Sequence, residues 1–226
     1  MKVVRMTFVG LLLGSFLGCT AMDKALIDPQ TGKAKDGNVV TAAGNILGSL
    51  PIPFAGLTYR DRRKPIIVAV DGLATAGGCE IVLSCDLVVA STRSAFGLAE
   101  VKRNLIAGAG GLFRLPRAIG QSAAMEIILT GEPLAAQRAH ELGLVNHCVA
   151  PDQVMPTALA LADKICAAAP LAVWASRKVV LAAAYESDEN LIKMTNAEFA
   201  GIMASEDTKE GLTAFIEKRT PDWKGR

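Results

Sequence analysis

From Lys64 onward, short apolar runs alternate with turn residues. Ile66-Ile67-Val68-Ala69-Val70 is a continuous, mostly β-branched run closed by Asp71-Gly72, which predicts a buried strand followed by a turn. Gly77-Gly78 then opens a helix through Cys79-Glu80-Ile81-Val82-Leu83-Ser84. Leu87-Val88-Val89-Ala90 predicts a second strand and Ser94-Ala95-Phe96-Gly97 a third. Gly108-Ala109-Gly110-Gly111 reads as a flexible loop. Residues 112–119 predict a short helix broken by Pro116, and residues 123–129 a helix ended by Thr130-Gly131-Glu132-Pro133. Residues 134–142 predict a further helix with Gly143 as its stop, and residues 145–149 a strand. Beyond Asp152 the spacing predicts helices near 152–169, 171–185, 188–203 and 206–218. Strands alternating with helices, followed by a helical tail, argue an α/β fold.

The first part of the chain has a different pattern. In residues 1–21, Lys2 and Arg5 give a positive start, residues 6–17 are apolar apart from Thr7 and Ser15, and small residues follow. That order is the order of a secretory signal. The apolar centre falls short of the roughly 20 residues that span a bilayer. Phe16-Leu17-Gly18-Cys19 is similar to a lipoprotein cleavage box, in which Cys19 carries lipid and anchors the chain to a membrane. A buried strand or helix is the alternative. Residues 22–53 lack periodicity and read as a linker, with a short helix near 22–27.

Composition narrows the classes. At 226 residues, with 51% hydrophobic and 20% charged positions, the chain has the makings of one domain with a real core or of two small ones. A net charge of +2 is too balanced for a dedicated nucleic-acid binder. The five cysteines, Cys19, Cys79, Cys85, Cys148 and Cys166, form no Cys-x-x-Cys pair and no dense disulfide framework. With only two histidines, His140 and His147, a His-rich metal site is excluded and acid–base chemistry falls to carboxylates.

Candidate chemistry begins at Gly77-Gly78. A glycine pair between strand and helix lets the backbone approach a ligand, and the first N–H groups of the helix point outward with the positive end of its dipole. Such a place suits an anion, or an oxygen that becomes anionic during a reaction, although tight strand–helix packing also accounts for the glycines. Glu80 is either a helix-start charge or, among Ile81, Val82 and Leu83, a carboxylate with a shifted pKa. Glu100 is either an acid–base group or the salt-bridge partner of Lys102 or Arg103. Cys79 reads as a core cysteine, and His140 as a surface or packing residue. Residues 59–64, Tyr-Arg-Asp-Arg-Arg-Lys, are either a solvated loop or a hold for phosphate groups. No Walker loop, dinucleotide fingerprint or Gly-x-Ser-x-Gly elbow occurs.

Taken in order, these strings resemble the crotonase superfamily, in particular its enoyl-CoA hydratase/isomerase members. The carriers are Lys64 to Gly72, Ala76-Gly77-Gly78-Cys79-Glu80, Cys85-Asp86-Leu87, Phe96-Gly97-Leu98-Ala99-Glu100 and Gly108-Ala109-Gly110-Gly111. Leu129 to Glu132, Ala139 to Asn146 and Ala214 to Arg219 extend the likeness, so that it covers residues 54–226.

The resemblance implies a spiral of ββα units with a C-terminal helical oligomerisation region over 151–226, assembled as trimers or paired trimers. It implies that the Gly77 N–H is half of an oxyanion hole and that Glu80 and Glu100 are the catalytic glutamates of a hydratase. Phe215 and Lys218 would be contacts to the CoA nucleotide, often across a subunit boundary. The substrate would be an acyl-CoA thioester, with no cofactor beyond the CoA it carries, and the compartment the cytoplasm, where CoA thioesters are made and used. A close variant would isomerise or dehydrate instead, and a non-catalytic acyl-CoA-binding remnant is the reading of another class. The resemblance also implies earlier strands, the N-terminal turns of the spiral, which read as missing from this sequence, and an Ala-Gly-x-Asp-type loop supplying the second oxyanion N–H. Only Ala21-Met22-Asp23-Lys24-Ala25 echoes that loop, and the second donor is left unassigned.

Overall fold

A computed structural model describes the backbone of Lys2–Met6 and residues 56–226. Two sheets carry the strands. The first is parallel, in the order β1 (Lys2–Met6), β2 (Ile66–Val70), β4 (Leu87–Ser91) and β7 (His147–Val149). The second sets β3 (Leu73–Thr75) parallel to β5 (Ala95–Gly97), and β5 antiparallel to β6 (Leu134–Ala135).

Successive turns of the chain stack. β2 leads to β3 and then to helix α1 (Gly77–Ser84); β4 leads to β5 and then, through a 3-10 turn (Glu100–Arg103), to α2 (Gly111–Ile119). Each turn contributes one strand to each sheet, and the second turn lays its strands parallel to those of the first. This is the ββα spiral that the resemblance implies. Both faces of the parallel sheet are covered, so β2 and β4 read as continuous apolar runs rather than alternating ones. Val68, Val70, Val88 and Ala90 face one core with Phe96, Leu98 and Leu115, while Ile67, Ala69 and Val89 face a second core closed by Val154, Ala158 and Ala162.

Several expectations need correction. Residues 134–142 are not one helix: Leu134 and Ala135 pair with Phe96 and Ala95 as β6, and α4 begins only at Ala136 and ends at Glu141. Pro116 does not break its helix, because α2 runs continuously over Gly111–Ile119 with Pro116 inside. A proline removes a single ladder hydrogen bond there, and burial of Leu115 and Ile119 holds the turn. Residues 121–130 form α3 (Gln121–Thr130), two residues longer at its start than expected. β3 is a strand where the sequence showed only a turn and a linker to the helix.

The expected helical tail is present as α5 (Val154–Cys166), α6 (Pro170–Ala182), α7 (Asp188–Met203) and α8 (Glu206–Glu217). Ser187 and Ser205 cap α7 and α8, each accepting from the N–H three residues on. An ion cluster pins this region to the sheet. Asp86 accepts from Arg62 and, at 2.8 Å, from Arg177 Nε on α6, while Ile66 N–H donates to it at 2.7 Å.

Of the signal-like residues 1–21, Lys2–Met6 are the strand β1, in register with Ile66–Val70. The Phe16–Cys19 box, the Ala21–Ala25 echo and the helix near 22–27 lie outside the described residues. Among the described residues no single helix is long and apolar enough to cross a membrane.

Candidate active site

The site is built where β3 gives way to α1. Ala76 N–H donates to Gly97 O at 2.9 Å, extending the β3–β5 ladder by one residue. Ala76 then takes φ 50° and ψ −129°, a conformation that favours glycine and turns the chain sharply into the helix. The first bond of the α1 ladder is Glu80 N–H to Ala76 O at 3.1 Å. The N–H groups of Gly77, Gly78 and Cys79 precede it, and no side chain caps them. Gly77 is half-exposed and stands at the positive end of the helix.

Glu80, in the first turn of α1, is only 4% exposed. Its carboxylate reaches the start of α2, where Oε1 accepts from Ala109 N–H at 2.7 Å and from Gly111 N–H at 2.9 Å. Oε2 accepts no hydrogen bond among the described residues. The Gly108–Gly111 stretch is therefore more than a flexible loop: it is an anion cradle at a helix N-terminus, and the anion is the protein's own carboxylate. Gly111 is closely packed: a Cβ there would stand 2.9 Å from Leu98 Cδ1 and 3.1 Å from Ala107 Cβ, so that a neighbour would have to shift.

Glu100 begins the 3-10 turn after β5. Neither expected salt bridge forms: Lys102 turns away to Glu132 Oε1 at 2.6 Å, and Glu100 Oε2 is buried without a hydrogen-bond partner among the described residues. An unpaired carboxylate oxygen in such a place is costly, and marks a group held for something other than stability.

The two glutamates share one environment. Burial pushes the pKa of both upward, and the charge of Glu80 pushes Glu100 further. Against burial, the two loop N–H groups and then the Arg114 guanidinium pull Glu80 back down. The Cys79 thiol feels both carboxylates. Burial first, and then their charges, raise it to about 12, so it stays a core thiol and not a nucleophile.

Other expected site residues lie elsewhere. Phe215 is 83% exposed near the end of α8, and Lys218 follows that helix in a left-handed conformation with φ 56°. Among the described residues no hydrogen bond or ion pair joins either to the glutamates. Of the basic stretch 59–64, Arg62 is committed to Asp86 and Arg63 lies over the Trp174 ring at 4.4 Å, while Arg60 and Lys64 are exposed. His140 Nδ1 packs against Val145 O at 2.7 Å, in keeping with a packing role. The sequence reading missed Tyr59 and Arg114, which hold the loop from outside; nothing in their spacing connects them to Glu80. Among the described residues no group of three or more His, Cys, Asp or Glu is placed to hold a metal ion.

Residues 57–226 match the Enoyl-CoA hydratase/isomerase family. The chain is 40% identical over 163 residues to a 2,3-dehydroadipyl-CoA hydratase of Escherichia coli, a match covering 72% of this chain and 64% of that protein. It spans 58% to 64% of the length of the first curated relatives it matches. Among solved structures, an enoyl-CoA hydratase from Mycobacterium tuberculosis superposes with a TM-score of 0.76 at 45% identity, over 78% of this chain and 70% of that one. An enoyl-CoA hydratase from Bacillus anthracis gives 0.80 at 26% identity, over 99% of this chain and 96% of that one. With a family match over most of its length and solved relatives that share its spiral, the chain belongs to the enoyl-CoA hydratase/isomerase family.

Proposed function

We propose that this protein adds water across the double bond of a 2-enoyl-CoA thioester, or removes it in reverse. The observation that carries this reading is the pair of glutamates, Glu80 buried and Glu100 half-buried, with different hydrogen-bond surroundings. Two N–H donors and a nearby cation favour the charged form of Glu80, so it is the base. Burial and the neighbouring charge of Glu80 favour the neutral form of Glu100 against the pull of its own backbone N–H, and its Oε2 has no partner among the described residues, so it is the acid. Burial favours the neutral form of both carboxyls, and the loop donors and Arg114 draw Glu80 back toward its charged form; one charged and one protonated carboxyl are what a paired acid–base reaction needs.

In the forward direction Glu80 takes a proton from water as the water oxygen bonds to the β-carbon. The π electrons move onto the thioester carbonyl, and Glu100 delivers its proton to the α-carbon. Negative charge builds on the carbonyl oxygen in between. The Gly77 N–H, uncapped at the start of α1, is the donor we assign to that oxygen; losing one such donor typically costs roughly 3–4 kcal/mol of transition-state stabilisation. Every proton in this scheme is handled by the two glutamates, so it calls on no cofactor beyond the CoA of the substrate. We also assign CoA-nucleotide contacts to Phe215 and Lys218 of a neighbouring copy in a homotrimer or hexamer. Their exposure supports that arrangement.

The test is to incubate the purified 226-residue chain with a short 2-enoyl-CoA and identify the product. A 3-hydroxyacyl-CoA supports the hydratase reading. Conversion of a 3-enoyl-CoA to the 2-enoyl isomer without hydration would replace it with isomerase chemistry. Binding of CoA thioesters without either reaction would leave a non-catalytic binding protein.

A further inference from the structure

The loop that cradles Glu80 is itself gripped from behind. The peptide group between Gly108 and Ala109 donates its N–H to Glu80 Oε1 and accepts at its carbonyl from the Tyr59 hydroxyl at 2.8 Å. The next carbonyl, that of Ala109, accepts from Arg114 Nη1 at 3.0 Å. The peptide group between Gly110 and Gly111 donates its N–H to Glu80 and accepts at its carbonyl from the Arg114 backbone N–H at 3.0 Å. All three consecutive carbonyls are therefore taken by Tyr59 or Arg114. A peptide group that accepts at one end is polarised to donate more strongly at the other.

Arg114 is in turn fixed in place. Its Nη2 donates to Thr58 O, and its guanidinium lies over the rings of Tyr59 and Phe113 at 5.4 Å and 5.2 Å. It fills the space at Gly110, where a Cβ would stand 2.2 Å from Nη1. A cation stacked this way keeps a single orientation.

We propose that Arg114, with Tyr59, is a positioning residue for the reaction: it holds the 108–111 loop so that both loop N–H groups stay on Glu80 Oε1 and leave Oε2 free for water. This rests on the reading of Glu80 as the base. Arg114 itself donates only to Ala109 and Thr58 backbone carbonyls and acts through the loop. Its charge has a second effect, since it holds Glu80 toward the ionised form. The other charged or titratable groups facing Glu80 are Glu100 on the 3-10 turn and Cys79 on α1, while Tyr59, Arg62 and Arg117 face Arg114.

The experiment uses the full chain with Arg114→Met, Arg114→Lys and Tyr59→Phe. kcat and KM for a short 2-enoyl-CoA are followed against pH, and circular dichroism verifies folding. Arg114→Met is expected to lower kcat roughly 10- to 100-fold with KM little changed, as losses of supporting-shell contacts do. Its acid limb should move to higher pH, because Glu80 loses a stabilising cation. Arg114→Lys should restore the position of the acid limb, but not kcat, since an ammonium cannot reproduce the fork. Tyr59→Phe should lower kcat about 3- to 10-fold at unchanged KM, as befits one lost hydrogen bond in a preorganised site.

Folded Arg114→Met with parental kcat and an unmoved acid limb would overturn the proposal. If that variant does not fold, a parental kcat in Tyr59→Phe would overturn it. A carbon-13 NMR titration of the Glu80 carboxyl, assigned with Glu80→Gln, separates this proposal from the function it rests on. An inactive parent whose Glu80 midpoint still rises in Arg114→Met, or failing that in Tyr59→Phe, defeats the hydratase reading and keeps the coupling. An unmoved midpoint defeats the coupling.

Discussion

In the proposed reaction, Glu80 and Glu100 are one residue type given two roles by different surroundings. Glu80 receives two backbone N–H donors; Glu100 Oε2 receives none among the described residues and sits beside its charged partner. This arrangement is unfavourable for the fold. The folded pKa of Glu100 lies above its unfolded value, so the folded state binds more protons in that window and stability falls as pH rises through it. Glu100→Gln should therefore melt on the order of 2–4 °C higher than the parent at neutral pH, while losing activity. The gain should vanish as pH falls to the unfolded glutamate value, where both proteins carry a neutral side chain. Scanning calorimetry at several pH values reads this directly; a lower melting temperature at neutral pH would show that Glu100 is a stabilising residue. Both glutamates were legible in the sequence from their type and apolar neighbours. Their meeting was not, because 20 residues of spacing do not fix a distance. The salt-bridge alternative for Glu100 failed because Lys102 has a better partner in Glu132, far along the chain.

Among the elements, the strand-to-helix turn and the 108–111 loop carry the site. Ala76 sits in a glycine-like conformation at the point where β3 feeds α1, and the rigid ladder contact to Gly97 holds it there. Gly111 is confined for a different reason, contact with Leu98 and Ala107. Gly111→Ala should push the loop outward, cost about 1–3 kcal/mol in stability and displace one of the two N–H donors from Glu80. Activity should fall by about 10²-fold, the scale of a 1 Å misplacement. Denaturant unfolding and the hydration rate measure the two effects, and a stable, fully active Gly111→Ala would show that the loop position is not critical. The helices were legible from their period, and the two β-branched strands from their continuous apolar runs. β3 and β6, of three and two residues, were not: so short a run has no period, and only its ladder partners make it a strand. The cradle was misread as a flexible loop for a similar reason, since its order comes from Glu80, Tyr59 and Arg114 rather than from its own glycines.

At the scale of the whole molecule, the C-terminal helices leave large apolar side chains in solvent. Ile192, Phe199 and Met203 lie at i, i+7 and i+11, on one face of α7, and all are more than half exposed. Such a face suits a neighbouring copy, which is how Phe215 and Lys218 would reach a site in another subunit. Ile192→Glu with Phe199→Glu should shift the protein from an oligomer to a single chain in sedimentation velocity, and an unchanged mass would place the interface elsewhere. The resemblance implied this helical region, and the structure has it as α5 to α8. The central claim is that Glu80 and Glu100 together carry out hydration, and the most direct measurement is loss of enoyl absorbance from a short 2-enoyl-CoA with the parent, Glu80→Gln and Glu100→Gln. We predict turnover by the parent and a fall of about 10²- to 10⁴-fold in each variant, with thioester binding retained. Turnover that survives either substitution in a folded protein would contradict the account.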